Sequence, residues 1–271
     1  MGITPKNWET YFHMGSEGIG TLYERLVLDS LLERIVREYG VWKVLECPCF
    51  GMTGYTGINS LKLAKMGLEV YVVDDDPKRL AYIRKVWRMA GLTAKFVRVE
   101  DYSTLPFEGE EFDMVWNFAS LWYLDDPIGA LVELARVCGD ILLICLPNRN
   151  LFYPLRKVFE RDLWRFVDES VLSSEFGVKM HRVLKNMEFE LVERGYIDTP
   201  PWPDLAIRLG RVKFCDKIVP PEYLNRKNNT LLKYLMFLES LPNSMKSLWS
   251  HHVYRIFRRR KAYQSTPYLK P

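Results

Sequence analysis

The chain has 271 residues, 48% of them apolar. That is enough for the core of one large domain and argues against disorder. The net charge is +4 but uneven: residues 151–271 hold 22 basic and 13 acidic side chains, and residues 1–150 hold 16 and 21. No apolar run approaches the roughly 18 residues of a membrane helix. The start, MGITPKNW, lacks the basic and apolar regions of a signal peptide, and Lys6 breaks the myristoylation pattern.

In chain order, residues 1–20 are rich in aromatics and glycine (Trp8, Tyr11, Phe12, His13, Gly15, Gly18, Gly20) and read as an ordered arm or flap. Thr21, with Glu24 three residues on, has the form of a capping box opening a helix that runs to Gly40. A first strand is expected over Val41–Glu46, a helix over Asn59–Met66, a second strand over Leu68–Val73. Asp76 and Pro77 then fit the N-cap and first helical position of a helix reaching Ala90. Further strands are expected at Ala94–Val99, Phe112–Asn117 and Asp140–Leu146, with a helix between the last two starting at Asp126 and Pro127. Apolar strands alternating with helices predict a parallel sheet covered on both faces. The second half is less regular. An interrupted helix is expected over Leu151–Phe166, a short helix over His181–Met187, and strands over Phe189–Ile197 and His252–Phe257.

The five cysteines are odd in number, and three lie in apolar strand-like runs, which predicts reduced thiols and a cytoplasmic protein. No Cys/His cluster has zinc spacing, so no metal is expected.

The chemistry is concentrated at the strand ends. Glu46, Asp74 and Asp101 each close a strand, and in a parallel sheet those ends share one edge, where such sheets bind ligands. A carboxylate after the second strand suits ribose hydroxyls, because it accepts two hydrogen bonds. After the first strand, Val44–Ile58 reads VLECPCFGMTGYTGI, a strand, a Gly-containing loop and a helix start.

Four segments in order, VLECPCFG, VYVVDDDP, VEDYSTLPFEGEEFDMVWN and LDDPIGALVELARVCGDILLICLPN, resemble the motif series of class I S-adenosylmethionine-dependent methyltransferases of the methyltransferase-11 type, over roughly residues 20–150. The resemblance implies a Rossmann-like, doubly wound, seven-stranded α/β sheet with S-adenosyl-L-methionine as cofactor and S-adenosyl-L-homocysteine as product. It places the ribose acid at Asp74, with Asp75 beside it, the adenine-contacting acid at Asp101 next to Tyr102, and Asn117 beside the transferred methyl. Gly51, Thr53, Gly54 and Gly57 would pass close to the methionine end, Glu46 would face the same crevice, and Tyr23 would close over the cofactor. The family's acid-x-Gly-x-Gly-x-Gly pattern is altered, because Pro48 and Phe50 stand where glycines are expected. The loop is therefore expected to take another path, with site decay as the competing reading.

By the same resemblance, residues 21–150 form the cofactor core. Residues 151–271 complete the sheet on the substrate side, with a helical insertion over about 198–250. A base is needed for an oxygen or carbon nucleophile, and His13 in the flap is the candidate, whereas His251 and His252 read as structural. The expected activity is methyl transfer to a small or medium-sized acceptor. The alternatives are an RNA methyltransferase using the basic second half, nucleic acid being the less favoured partner, and a non-catalytic cofactor-binding protein.

Overall fold

In the computed structural model, residues 8–9, 16–17, 19–50, 56–159, 165–199, 212–213 and 235–260 are described. Helix α1 (Ile19–Tyr39) precedes β1 (Lys43–Glu46), α2 (Leu61–Lys65), β2 (Glu69–Asp74), α3 (Pro77–Met89), β3 (Lys95–Arg98) and β4 (Phe112–Phe118). Then come α4 (Pro127–Val137), β5 (Cys138–Pro147), α5 (Tyr153–Phe159), α6 (Ser174–Asn186), β6 (Phe189–Ile197), α7 (Asn243–Trp249) and β7 (His252–Arg259).

The strands form one seven-stranded sheet in the order β3-β2-β1-β4-β5-β7-β6. Its first five are parallel, and β7 runs antiparallel to both β5 and β6. The doubly wound, seven-stranded α/β expectation therefore holds. Because strand side chains alternate between faces, each face has its own apolar layer. Val44, Val72, Trp116, Leu143 and Ile256 pack with Leu28, Leu32, Leu63, Ile83 and Trp87 of α1–α3. Leu45, Val115, Leu142, Ile144 and Phe257 pack with Leu131 and Leu134 of α4 and Met180 and Leu184 of α6.

Local signals explain most boundaries. Asp76 caps α3 by accepting from the Lys78 and Arg79 amides, with Pro77 at the first helical position. Asp126 caps α4 through the Gly129 amide, with Pro127 behind it. Two expectations need correction. Helix α1 begins at Ile19, so Thr21 lies inside it and Glu24 serves elsewhere. Helix α6 starts at Ser174, seven residues before the expected His181, because Ser173 caps it by accepting from the Phe176 amide. Of the helical insertion expected over about 198–250, residues 198–199, 212–213 and 235–250 are described. Val212–Lys213 is a short strand paired antiparallel with Ser16–Glu17 in a separate two-stranded sheet, followed by a 3-10 turn at Met236–Ser240 and helix α7.

Candidate functional site

The carboxyl ends of β1, β2, β4 and β5 share one edge of the sheet, and the amino end of β7 meets them there, since His252 pairs with Pro147 and Ile197. Glu46 ends β1 and is buried. Its Oε1 accepts from Asn59 Nδ2 at 3.5 Å, while Arg25 donates to Asn59 Oδ1 at 2.8 Å instead of meeting the carboxylate. Burial pushes the Glu46 carboxyl up to about 7, against the opposing pull of Ser60 and Asn59.

The altered loop follows from how far the sheet extends. The Cys47 amide donates to Trp116 O at 3.0 Å, and the Cys49 amide to Val73 O at 2.9 Å. Three residues beyond Glu46, the chain is thus still bonded to strands on both sides. Pro48 sits at a bend after a cis Cys47-Pro48 peptide bond, and neither Pro48 nor Phe50 has a positive φ, so glycine freedom is not needed there. Gly51, Thr53 and Gly54 lie outside the described residues. At Gly57 the freedom is needed: its φ is +70°, a Cβ would collide with the Ile83 side chain, and its carbonyl accepts from Trp87 Nε1 at 2.7 Å.

Asp74, at the end of β2, has a fully buried side chain. It receives Arg79 Nη2 at 2.6 Å and Nε at 2.9 and 3.0 Å, Cys49 Sγ at 3.1 Å and the Asp76 amide at 2.9 Å. Burial pushes the Asp74 carboxyl up, and Arg79 opposes that. Phe50 lies on the Arg79 guanidinium at 4.4 Å, Trp8 lies 5.9 Å from it, and Tyr82 packs edge-on against Trp8. Asp75 is half-exposed beside this cluster, meeting Arg79 Nη2 at 2.6 Å and the Tyr102 hydroxyl at 3.1 Å.

Asp101 is exposed and accepts from the Ser103 amide and hydroxyl, which hold its carboxyl below the usual range. Asn117, near the end of β4, is fully buried, and neither its Oδ1 nor its Nδ2 has a partner among the described residues. The structure thus gathers Glu46, Asp74, Asp75, Tyr102 and Asn117 along one edge. Tyr23 is also buried, but its hydroxyl donates to Glu239 Oε1 at 2.8 Å and Leu235 O at 3.1 Å. His13 lies outside the described residues.

Two groups escaped the sequence reading. Arg79 was legible only as a basic residue in the first turn of α3, one turn past the Asp run. The second group is Glu24, Asp198 and His252, all buried, with ligand atoms within 4.8 Å of one another. His252 Nδ1 lies 3.4 Å from Glu24 Oε1, and its ring packs on Phe118, the neighbour of Asn117. These residues are far apart in sequence, and only the topology brings them together.

This strand order, with the last strand antiparallel and a row of polar groups at the carboxyl edge, is that of the class I S-adenosylmethionine-dependent methyltransferase fold. Residues 51–140 match the family model described as a methyltransferase domain, Methyltransf_11. Among solved structures, it is similar to magnesium protoporphyrin IX methyltransferase from Synechocystis PCC 6803 with bound S-adenosylhomocysteine. The TM-score is 0.53 at 13% identity, covering 86% of this chain and 81% of that one. It is also similar to the [4+2]-cyclase SpnF, with TM-score 0.52 at 15% identity, covering 86% and 81%. A cyclase on the same fold means that the reaction must be argued from the site. A curated relative, the type II secretion system protein HxcR of Pseudomonas aeruginosa, is 30% identical over 99 residues, which is 34% of this chain and only 19% of that protein.

Proposed function

We propose that the protein transfers a methyl group from S-adenosylmethionine to a small or medium-sized acceptor, releasing S-adenosylhomocysteine. The observation that carries this is the Asn117 amide, buried with both polar atoms unpartnered among the described residues, at the same edge as the carboxylates of Glu46, Asp74 and Asp75. An unpaired buried amide costs roughly 1–3 kcal/mol, a cost that a ligand at this edge relieves. The residues fit the cofactor in kind. Glu46 is a buried carboxylate with no salt bridge among the described residues, which suits an α-ammonium group. Asp74 and Asp75 suit the ribose diol, and Asp101 with Tyr102 an adenine amine. Gly51, Thr53 and Gly54 would bring backbone to the methionine end. The bound cofactor supplies an electrophilic methyl group on its sulfonium.

The protein's part is to position the acceptor and exclude water. For an oxygen or carbon nucleophile, His252 joins His13 as candidate base, since Glu24 beside it stabilises an imidazolium. A small acceptor is supported by the porphyrin named for the Synechocystis enzyme. No helix among the described residues is long and apolar enough to cross a membrane. A cytoplasmic setting is supported by four free, buried cysteines, Cys47, Cys49, Cys138 and Cys145.

Calorimetric titration with S-adenosylhomocysteine tests the reading. The intact protein should bind, and Asp74→Ala should weaken binding sharply. Weakening confined to Asp75→Asn would move the ribose role to that residue. No binding by the intact protein would sink the proposal.

A further inference from the structure

A cavity of about 530 Å³ opens on the α6 face of the sheet. Its lining includes Arg149 after β5, Ser173 at the start of α6, His181 of α6, Arg194 of β6 and Arg255 of β7. Arg194 and Arg255 are directly opposed on antiparallel strands. Like charges in that position destabilise a sheet, so the arrangement needs a reason. No described carboxylate relieves it: neither arginine forms an ion pair among the described residues. Arg255 Nη1 is buried with no acceptor among the described residues. Burial, and then Arg194, pull the Arg255 guanidinium below its ordinary pKa. Arg194 spends one donor on the Tyr196 hydroxyl, at 3.0 Å. Gly177 of α6 sits over Arg255, where a Cβ would lie 3.9 Å from Nη2, so the helix backbone passes close to the guanidinium. Cationic groups converging in a concave, partly dry space favour an oxyanion.

The cavity is in register with the candidate site. Asn117 pairs with Ile144, Ile144 with Arg255, and Arg255 with Arg194. These four residues form one rung across β4, β5, β7 and β6, and directly paired residues share a sheet face. At about 4.8 Å between strands, Arg255 stands roughly 10 Å along the sheet from Asn117. We propose that this cavity binds an oxyanion, a phosphate or carboxylate, and that the group is the anionic end of the methyl acceptor. The oxyanion site follows from the geometry of the cavity alone. Its assignment to the acceptor rests on the methyl-transfer reading.

The test is thermal denaturation of the full chain in inorganic phosphate, sodium acetate or chloride at matched ionic strength, on the wild type and on Arg194→Met/Arg255→Met. The wild type should be stabilised saturably by phosphate or acetate beyond chloride. The double variant should lose at least about tenfold in anion affinity, as expected when charge-assisted hydrogen bonds are removed. With the like-charge pair gone, it should be no less stable than the wild type in chloride, so a folding failure is recognisable. The single Arg255→Lys variant, which keeps the charge, should retain part of the effect. A response to phosphate alone would indicate a phosphorylated acceptor, and to acetate alone a carboxylate. Equal stabilisation of wild type and double variant, or none of the wild type, would overturn the oxyanion site. S-adenosylhomocysteine titration of the same double variant separates the two readings. Unchanged cofactor binding with lost anion binding supports both. Retained anion binding in a chain that fails to bind the cofactor would remove only the acceptor assignment.

Discussion

The Asp74–Arg79 pair is the most consequential contact at the cofactor edge, and Arg79→Met isolates it. Asp74 is fully buried and Arg79 is 5% exposed, so solvent does not screen the pair. Removing the guanidinium leaves a buried carboxylate with only Cys49 Sγ and the Asp76 amide as donors. Breaking a buried pair in this way costs about 3–5 kcal/mol, and the stacking of Phe50 on Arg79 at 4.4 Å adds about 1–2 kcal/mol. Of a typical stability of about 5–15 kcal/mol, that is a large share, so Cm in urea should fall steeply with m unchanged. Burial already pushes the Asp74 carboxyl up, and losing Arg79 pushes it further. An acid whose folded pKa lies above its unfolded value, 3.8 here, loses stability as pH rises from that value through the folded pKa. The cost of Arg79→Met should therefore be larger at pH 8 than at pH 4. Asp74→Asn/Arg79→Met removes the stranded charge and should recover much of the loss. Urea denaturation followed by circular dichroism gives the double-mutant cycle. A loss below about 1 kcal/mol, or single effects that add to within about 0.5 kcal/mol, would refute the argument that the pair acts as one buried unit.

Two further outcomes follow from the same edge. Glu46 is held near 7 in the folded chain against 4.5 unfolded, so the wild type should lose stability from about pH 4.5 to 7 and level off above, by about 3 kcal/mol in total from this group. Glu46→Gln should flatten that part of the profile, and a slope unchanged in the variant would contradict it. If a cofactor ammonium meets Glu46, binding at pH 6 should release protons, seen as a dependence of calorimetric enthalpy on the buffer's ionisation enthalpy and absent in Glu46→Gln. Gly57→Ala combines a φ of +70° with a collision against Ile83 and should cost about 2–4 kcal/mol by urea denaturation. A neutral result would mean that the Gly57 turn relaxes freely.

How much of this was legible in the sequence depends on the range of the signal. The five parallel strands were legible because buried parallel strands are near-continuous apolar runs, and Asp76-Pro77 and Asp126-Pro127 each mark a helix start within four residues. Cap signals also misled. Thr21 and Glu24 have the spacing of a capping box, but helix α1 starts earlier, and Glu24 is drawn to His252 across 228 positions of chain. No local pattern encodes that contact.

The altered loop shows the same limit from the other side. Against the family pattern, Pro48 and Phe50 look like losses, because the pattern assumes that the chain turns directly after the acid. Here the Cys47 and Cys49 amides keep the chain bonded to β4 and β2 beyond Glu46, and neither Pro48 nor Phe50 has a positive φ. The side chain at position 50 then points at Arg79, whose guanidinium it covers, and Arg79 in turn holds Asp74. The same stretch of chain thus shapes both the loop and the surroundings of Asp74. A decayed site would lose its carboxylates independently. This one keeps Glu46, Asp74 and Asp75 at one edge and sets a cation with an aromatic cover on Asp74.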